Sequence, residues 1–257
     1  MVVLSVAIGL IVGSFLNVVI LRGAVSQSLT GRSRCDECGH ILSVRELIPI
    51  ISFLVQKARC RECGTVLSWQ YPIVEFVTAV GFAVTGGVIV PSLAAIDSAS
   101  LILLGEVFLV IAAVIVIVTA DIRFQIIPNG AAFALFFAGL VASGMRGALL
   151  RDSEAALAVA GFFALLWLIS RGRWMGLGDA KLVLGTSLLI GFPASAAAFL
   201  FSFWLGGVAA IPMLLFGKKA MQSRIPFGPF IIAGAVLAYW YSGYFFSAAG
   251  LSHIVWQ

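Results

Sequence analysis

Two cysteine pairs, Cys35-Asp36-Glu37-Cys38-Gly39 and Cys60-Arg61-Glu62-Cys63-Gly64, hold all four cysteines of the chain, with 21 residues between them. Thiolates at i and i+3 on a tight turn can reach one tetrahedral ion. The glycine after each pair permits the close backbone approach that lets amides bond to sulfur. Two such knuckles complete a four-thiolate set at a spacing close to that of a zinc ribbon. A closed set leaves no position for water, so a zinc ion held by Cys35, Cys38, Cys60 and Cys63 is structural. The alternative is four free or redox-active cysteines, which rarely fall into paired knuckles. Arg32, Arg34, Arg45, Lys57, Arg59 and Arg61 offset the negative charge of the site. His40, just outside the first knuckle, reads as a surface residue or a neighbour of the site.

A second kind of chemistry is offered by four acids in or against apolar stretches: Glu75, Glu106, Asp121 and Asp179. A carboxylate at the centre of a spanning helix costs about 3 kcal/mol even on lenient insertion scales, so each is a functional candidate. Asp121 and Asp179 fall at the boundaries of two apolar segments. If they converge, they repel as like charges and share one proton near neutral pH. One carboxyl then takes a proton from water while the other donates to a peptide carbonyl. Gly176 and Gly178 leave room beside Asp179 for an extended substrate. The bland alternative is a pair of helix-boundary acids salt-bridged to Arg123 or Lys181. Glu106 reads as interfacial. Glu75, one turn into its apolar segment, is either a base near the aspartates or a carboxylate paired to a loop arginine.

The elements that must position these groups are membrane helices. Of 257 residues, 61% are hydrophobic and 11% charged, against about 25% charged in ordinary soluble domains. That balance excludes a water-soluble enzyme and excludes disorder. About eight spans of 20 residues would use ~160 residues, and eight apolar segments are visible. They cover roughly 2–21, 71–90, 101–120, 131–144, 155–169, 181–193, 196–216 and 230–246. The first lacks a basic leading segment and reads as a retained helix, not a removed signal peptide. Leu47–Val55 is apolar but too short to cross, and could lie at the interface or cover the cysteine site. Three parts follow: a first helix at 1–21, a cysteine loop at 22–70, and a membrane core at 71–257.

Orientation follows from the basic residues. With the 22–70 loop in the cytoplasm, 14 of the 16 lysines and arginines fall on the cytoplasmic side, leaving Arg146 and Arg151 outside. This asymmetry predicts both termini outside. It also puts the thiols in a reducing compartment, which disfavours disulfides. The net charge of +5 marks membrane orientation and does not point to nucleic acid.

Several segments together resemble the type IV prepilin peptidases, membrane aspartic proteases of the GxGD type. They are Gly13-Ser14-Phe15-Leu16-Asn17, the two CxxCG knuckles, Tyr71-Pro72-Ile73-Val74-Glu75, and Asp121 with Ile127-Pro128. Further along come Gly176-Leu177-Gly178-Asp179-Ala180-Lys181-Leu182 and Pro226-Phe227-Gly228-Pro229. A lone GxGD is weak, whereas this ordered set spans most of the chain. The resemblance implies an enzyme of the bacterial inner membrane that cuts the basic leader from type IV prepilins or pseudopilins at the cytoplasmic face. Asp121 and Asp179 would be catalytic. It also implies N-methylation of the new terminus with S-adenosylmethionine, since the long metal-binding loop is typical of bifunctional members. Glu75 is then the candidate base for methyl transfer. The chain departs from many members at Asn129, where they carry aspartate, and at Arg22-Gly23-Ala24-Val25-Ser26-Gln27, which replaces a leucine-proline run. The rival readings are a related peptidase without transferase activity and a proton-coupled transporter.

Overall fold

The computed structural model describes residues 1–24, 27–91, 96–216 and 226–248, without the side chains of 212–216 and 242–248. The basic turn with Lys218, Lys219 and Arg224 lies outside the described residues. The fold is all-helical. Helices α1 (Val2–Ala24), α3 (Gln70–Ile89), α4 (Ser98–Phe124), α5 (Asn129–Met145), α6 (Leu149–Ser170), α7 (Leu177–Ile190), α8 (Ala194–Phe216) and α9 (Gly228–Ala248) correspond to the eight apolar segments. Between α1 and α3 lie a 3-10 turn, Val44–Leu47, and the five-residue α2, Ile51–Val55. Among the described residues only two isolated antiparallel bridges occur, Arg34 with Ile41 and Arg59 with Val66.

Among the described residues, five helices are long and apolar enough to cross a membrane: α1, α3, α4, α6 and α8. The chain is a multi-pass membrane protein. α5 and the described apolar part of α9 are shorter. α7, with 14 residues, is only about 21 Å long, against a hydrocarbon core of about 30 Å. Its surroundings explain this: Asp179, Ala180, Leu182, Val183, Gly185, Thr186, Ser187 and Leu188 are all buried, so most of its surface meets protein.

The chain divides into two compact units, Met1–Val116 and Ile117–Gln257. In the first, α1 and α3 approach until their backbones nearly touch. A Cβ at Gly9 would lie 2.6 Å from the Ala79 Cα, and one at Gly13 would lie 2.7 Å from the Glu75 Cα. Asn17 ties the later part of α1 to the start of α3 by donating to the Tyr71 carbonyl at 3.2 Å and accepting from the Gln70 side-chain amide at 3.1 Å. Phe82 of α3 stacks on Phe108 of α4 at 3.8 Å.

In the second unit α7 packs against α5 and α6, and α8 against α9. Gly139 and Gly185 bring α5 and α7 into backbone contact. Phe163, Phe199, Phe203 and Phe227 form an aromatic cluster with ring centroids 5.1–6.1 Å apart. One end of α7 is closed by ions. Asp152, fully buried, accepts from Ser143 Oγ at 2.8 Å, Arg146 Nη2 at 2.9 Å and the Phe192 amide at 3.0 Å. Arg146 also donates to the Leu188 and Leu189 carbonyls at 2.7 and 2.9 Å. These are two of the last carbonyls of α7, which would otherwise lack partners.

Two expected boundaries are corrected. The charged stretch 146–154 is mostly helix, because α6 starts at Leu149 with Asp152 turned inward. α7 starts at Leu177, so Asp179 lies inside its first turn and not before it.

Candidate active site

Asp121 and Asp179 both belong to the second unit and are buried, 5% and 7% exposed. Each is held by a backbone amide at the start of a helix, one local and one distant in sequence. α7 opens after Gly176, whose backbone is extended (φ −82°, ψ 151°). Asp179, three residues on, accepts the Gly176 N–H at 3.0 Å. This is the backward half of a capping box. Asp121, near the end of α4, accepts the Gly228 N–H at 2.7 Å from the start of α9, 107 residues away. Both carboxylates therefore sit at helix N-termini, where free amides and the helix dipole favour negative charge. They also feel one another's charge.

Glycine is required by space at two of these points. A Cβ at Gly228 would stand 2.7 Å from Asp121 Oδ2, and one at Gly178 would stand 3.0 Å from the Ile127 Cβ. The Ile127-Pro128 turn that follows Asp121 is thus in contact with the Gly176–Asp179 turn. Lys181 donates to Asn129 Oδ1 at 3.0 Å, so its ammonium is engaged with the turn after Asp121. Arg123 lies over the Phe124 ring at 5.4 Å. The role of the Gly228 amide is invisible in the sequence; a glycine beside prolines at a helix start was the available signal.

The cysteine loop lies in the first unit. Its two knuckles are near copies. In the first, Cys35 N–H donates to the His40 carbonyl, Gly39 N–H to the Cys35 carbonyl and Leu42 N–H to the Ser33 carbonyl. In the second, Cys60 pairs with Thr65, Gly64 with Cys60 and Leu67 with Ala58 in the same way. Gly39 and Gly64 take φ of 72° and 71°, a left-handed turn that side chains resist. The four sulfurs lie within 4.8 Å of one another, with Cys35–Cys63 at 3.9 Å and Cys38–Cys60 at 4.0 Å. This cluster is able to hold a metal ion. Amides of Cys63 and then Glu62 point at the Cys60 sulfur and lower its thiol to about 6, while burial and the neighbouring sulfurs raise Cys38 and Cys63.

Beside it, Glu46 is held at about 2 by the Ser43 amide and hydroxyl. Its charge ties the 3-10 turn to His40 at 3.4 Å. Glu75 is buried at 7% exposure. It accepts the Ile50 N–H at 2.7 Å and bonds the Ser14 hydroxyl. It holds the loop through a backbone amide and not through the arginine of the alternative reading.

Residues 7–87 match the bacterial peptidase A24 N-terminal domain, and residues 108–211 match the type IV leader peptidase family. The prepilin leader peptidase/N-methyltransferase of Bacillus subtilis (strain 168) is 34% identical over 241 residues, covering 91% of each chain. Enzymes of the same name from Dickeya chrysanthemi and Burkholderia pseudomallei (strain 1026b) are 28% and 26% identical. The first covers 89% of both chains; the second covers 96% of this chain and 87% of its own. No solved structure matches the chain. With its sequence similar to these enzymes over about nine-tenths of its length, the chain belongs to the type IV leader peptidase family.

Proposed function

We propose that the protein is an aspartic endopeptidase of the bacterial inner membrane that removes the basic leader from type IV prepilins or prepilin-like proteins. It then methylates the new N-terminal amine with S-adenosylmethionine. The observation that carries the reading is the pair of buried, mutually interacting carboxylates, Asp121 and Asp179, each on the N-terminus of a different helix. One carboxyl is ionised and takes a proton from water. The other is protonated and donates to the scissile carbonyl oxygen, and the hydroxyl adds to the carbon. A proton-coupled transporter would place such acids at the midplane on discontinuous helices, whereas these two lie at helix ends. Relatives named for both activities support the bifunctional reading. Residues 1–21, 22–70 and 71–257 serve as first span, metal loop and peptidase core. The loop faces the cytoplasm with both termini outside, and nucleic acid plays no part. Incubating the purified protein with a prepilin, with and without S-adenosylmethionine, tests both halves by mass spectrometry. The leader should be lost in both arms and a methyl gained only with the donor; an uncut prepilin rejects the peptidase reading.

We assign zinc to the cysteine cluster. Sulfurs around zinc at 2.3 Å stand about 3.8 Å apart, close to the separations of Cys35–Cys63 and Cys38–Cys60. Elemental analysis of anaerobically purified protein should give one zinc per chain, lost in Cys38→Ser. Metal-free protein, or disulfides in the cell, would count against the assignment.

Glu75 remains the candidate base for methyl transfer. A free α-amine has a pKa of about 7.7–8.0, so a nearby carboxylate would help it lose its proton. Glu75→Gln is then expected to spare cleavage and to lower methylation of a pre-cleaved pilin. If Glu75 serves only to anchor the loop at Ile50, metal content or both activities should fall together. Wild-type methylation by the variant removes it as the base.

A further inference from the structure

Between the cysteine pairs the chain presents an apolar surface that the described residues leave open. In α2, Phe53 is buried and meets Trp69 edge-on at 5.0 Å. Its neighbours face outward: Ile51 is 58% exposed, Leu54 63% and Val55 75%. Five residues cannot hold a helix alone, and this one is fixed at both ends. Glu75 grips the Ile50 amide, and the backbone turns left-handed at Ile50 (φ 60°) before it and at Lys57 and Ala58 (φ 51° and 56°) after it. A β-branched residue there is strained, so the presentation of α2 is imposed on the loop by its surroundings.

The grip also ties the start of α2 to a spanning helix. Glu75 lies five residues into α3, which starts at Gln70, about 8 Å along the axis. The residue that leads into α2 is thus tied to the first turns of a bilayer-crossing helix, and α2 itself packs through Phe53 on Trp69 at the start of that helix. Trp69, just before α3, is 64% exposed, at the level where aromatic rings gather on membrane surfaces. Next to α2 is a groove of about 400 Å³ shared with the second knuckle and lined by Arg45, Arg59, Arg61, Ile48 and Val55. Its one carboxylate, Glu46, is engaged by Ser43 and His40, against three arginines on the lining.

We propose that α2 is an interfacial helix. Ile51, Leu54 and Val55 enter the acyl boundary of the bilayer, and the arginine groove takes the phosphate headgroup of an anionic phospholipid. S-adenosylmethionine, with a net charge of about +1 from its sulfonium, ammonium and carboxylate groups, suits this basic groove poorly. The inference needs only that α1 and α3 cross the bilayer, so it stands or falls apart from the peptidase reading.

The test uses the full protein in vesicles of phosphatidylcholine and phosphatidylglycerol with brominated acyl chains. Leu54→Trp and, as control, Glu37→Trp at the exposed tip of the first knuckle are compared with wild type by difference fluorescence. The tryptophan introduced at position 54 should emit blue-shifted light quenched by brominated lipid, and the control should be quenched by aqueous iodide. Iodide quenching at position 54 without lipid quenching overturns the proposal. For the groove, lipid retained by the protein is read by native mass spectrometry. Each basic side chain near an anionic surface changes affinity about fivefold. Replacing Arg45, Arg59 and Arg61 together by Gln should therefore weaken phosphatidylglycerol retention about a hundredfold and leave phosphatidylcholine unchanged. Should the triple variant lose its metal, Arg45→Gln alone, outside the knuckles, should show about a fivefold loss. Undiminished phosphatidylglycerol overturns the headgroup site, as does loss of S-adenosylmethionine binding in its place.

Discussion

Asp121→Asn and Asp179→Asn should each lower leader cleavage by about 10³-fold or more while the protein still inserts. Asparagine keeps the shape and can still accept the Gly228 or Gly176 amide, so packing is preserved. It can neither take a proton from water nor alternate with its partner as acid, so both halves of the exchange are lost. Initial rates on a purified prepilin, with expression matched by immunoblot, are the measurement. Cleavage near the wild-type rate in either variant would reject the dyad. Gly228→Ala probes the same geometry without touching a carboxyl. Its methyl would stand 2.7 Å from Asp121 Oδ2, so Asp121 must shift. A misplacement of that order costs about 10²-fold.

The second large effect concerns folding. Asp152→Ala removes three accepted hydrogen bonds and leaves the Arg146 charge without its carboxylate, bonded only to the Leu188 and Leu189 carbonyls. Breaking one side of a buried ion pair costs about 3–5 kcal/mol. The lower end applies because Arg146 is 38% exposed while Asp152 is fully buried. Thermal unfolding in detergent should show the loss, with Arg146→Met losing less. A double-mutant cycle should show strong coupling, since the two share one network. Additive losses would mean that Arg146 acts on the α7 carbonyls independently of Asp152.

What was legible in the sequence was local. The knuckles could be read because their ligands lie three residues apart, and the spans because twenty apolar residues have few other fates. Charge misled at two boundaries. Arg151, Asp152 and Glu154 looked like a loop, yet Asp152 points inward from the first turn of α6. Asp179 looked like the residue before a span but caps it from within. The contacts that hold the candidate site are long-range and involve backbone atoms. Ile50 N–H on Glu75 and Gly228 N–H on Asp121 join positions 25 and 107 residues apart. No side-chain type advertises an amide, so neither could be read in advance. The number of true spans also depends on surroundings: α7 is too short to cross by itself and is covered by its neighbours.

The seam between α1 and α3 has a consequence for synthesis. Asn17 bonds weakly to Gly13 in its own helix, and its outside partners are Gln70 and Tyr71, more than fifty residues later. At about 5–20 residues per second, α1 waits roughly 3–10 seconds for them. In that interval its glycine groove is open and its amide half satisfied, with the whole cysteine loop still emerging from the ribosome. Completion of the first hairpin thus reports that both knuckles have been made.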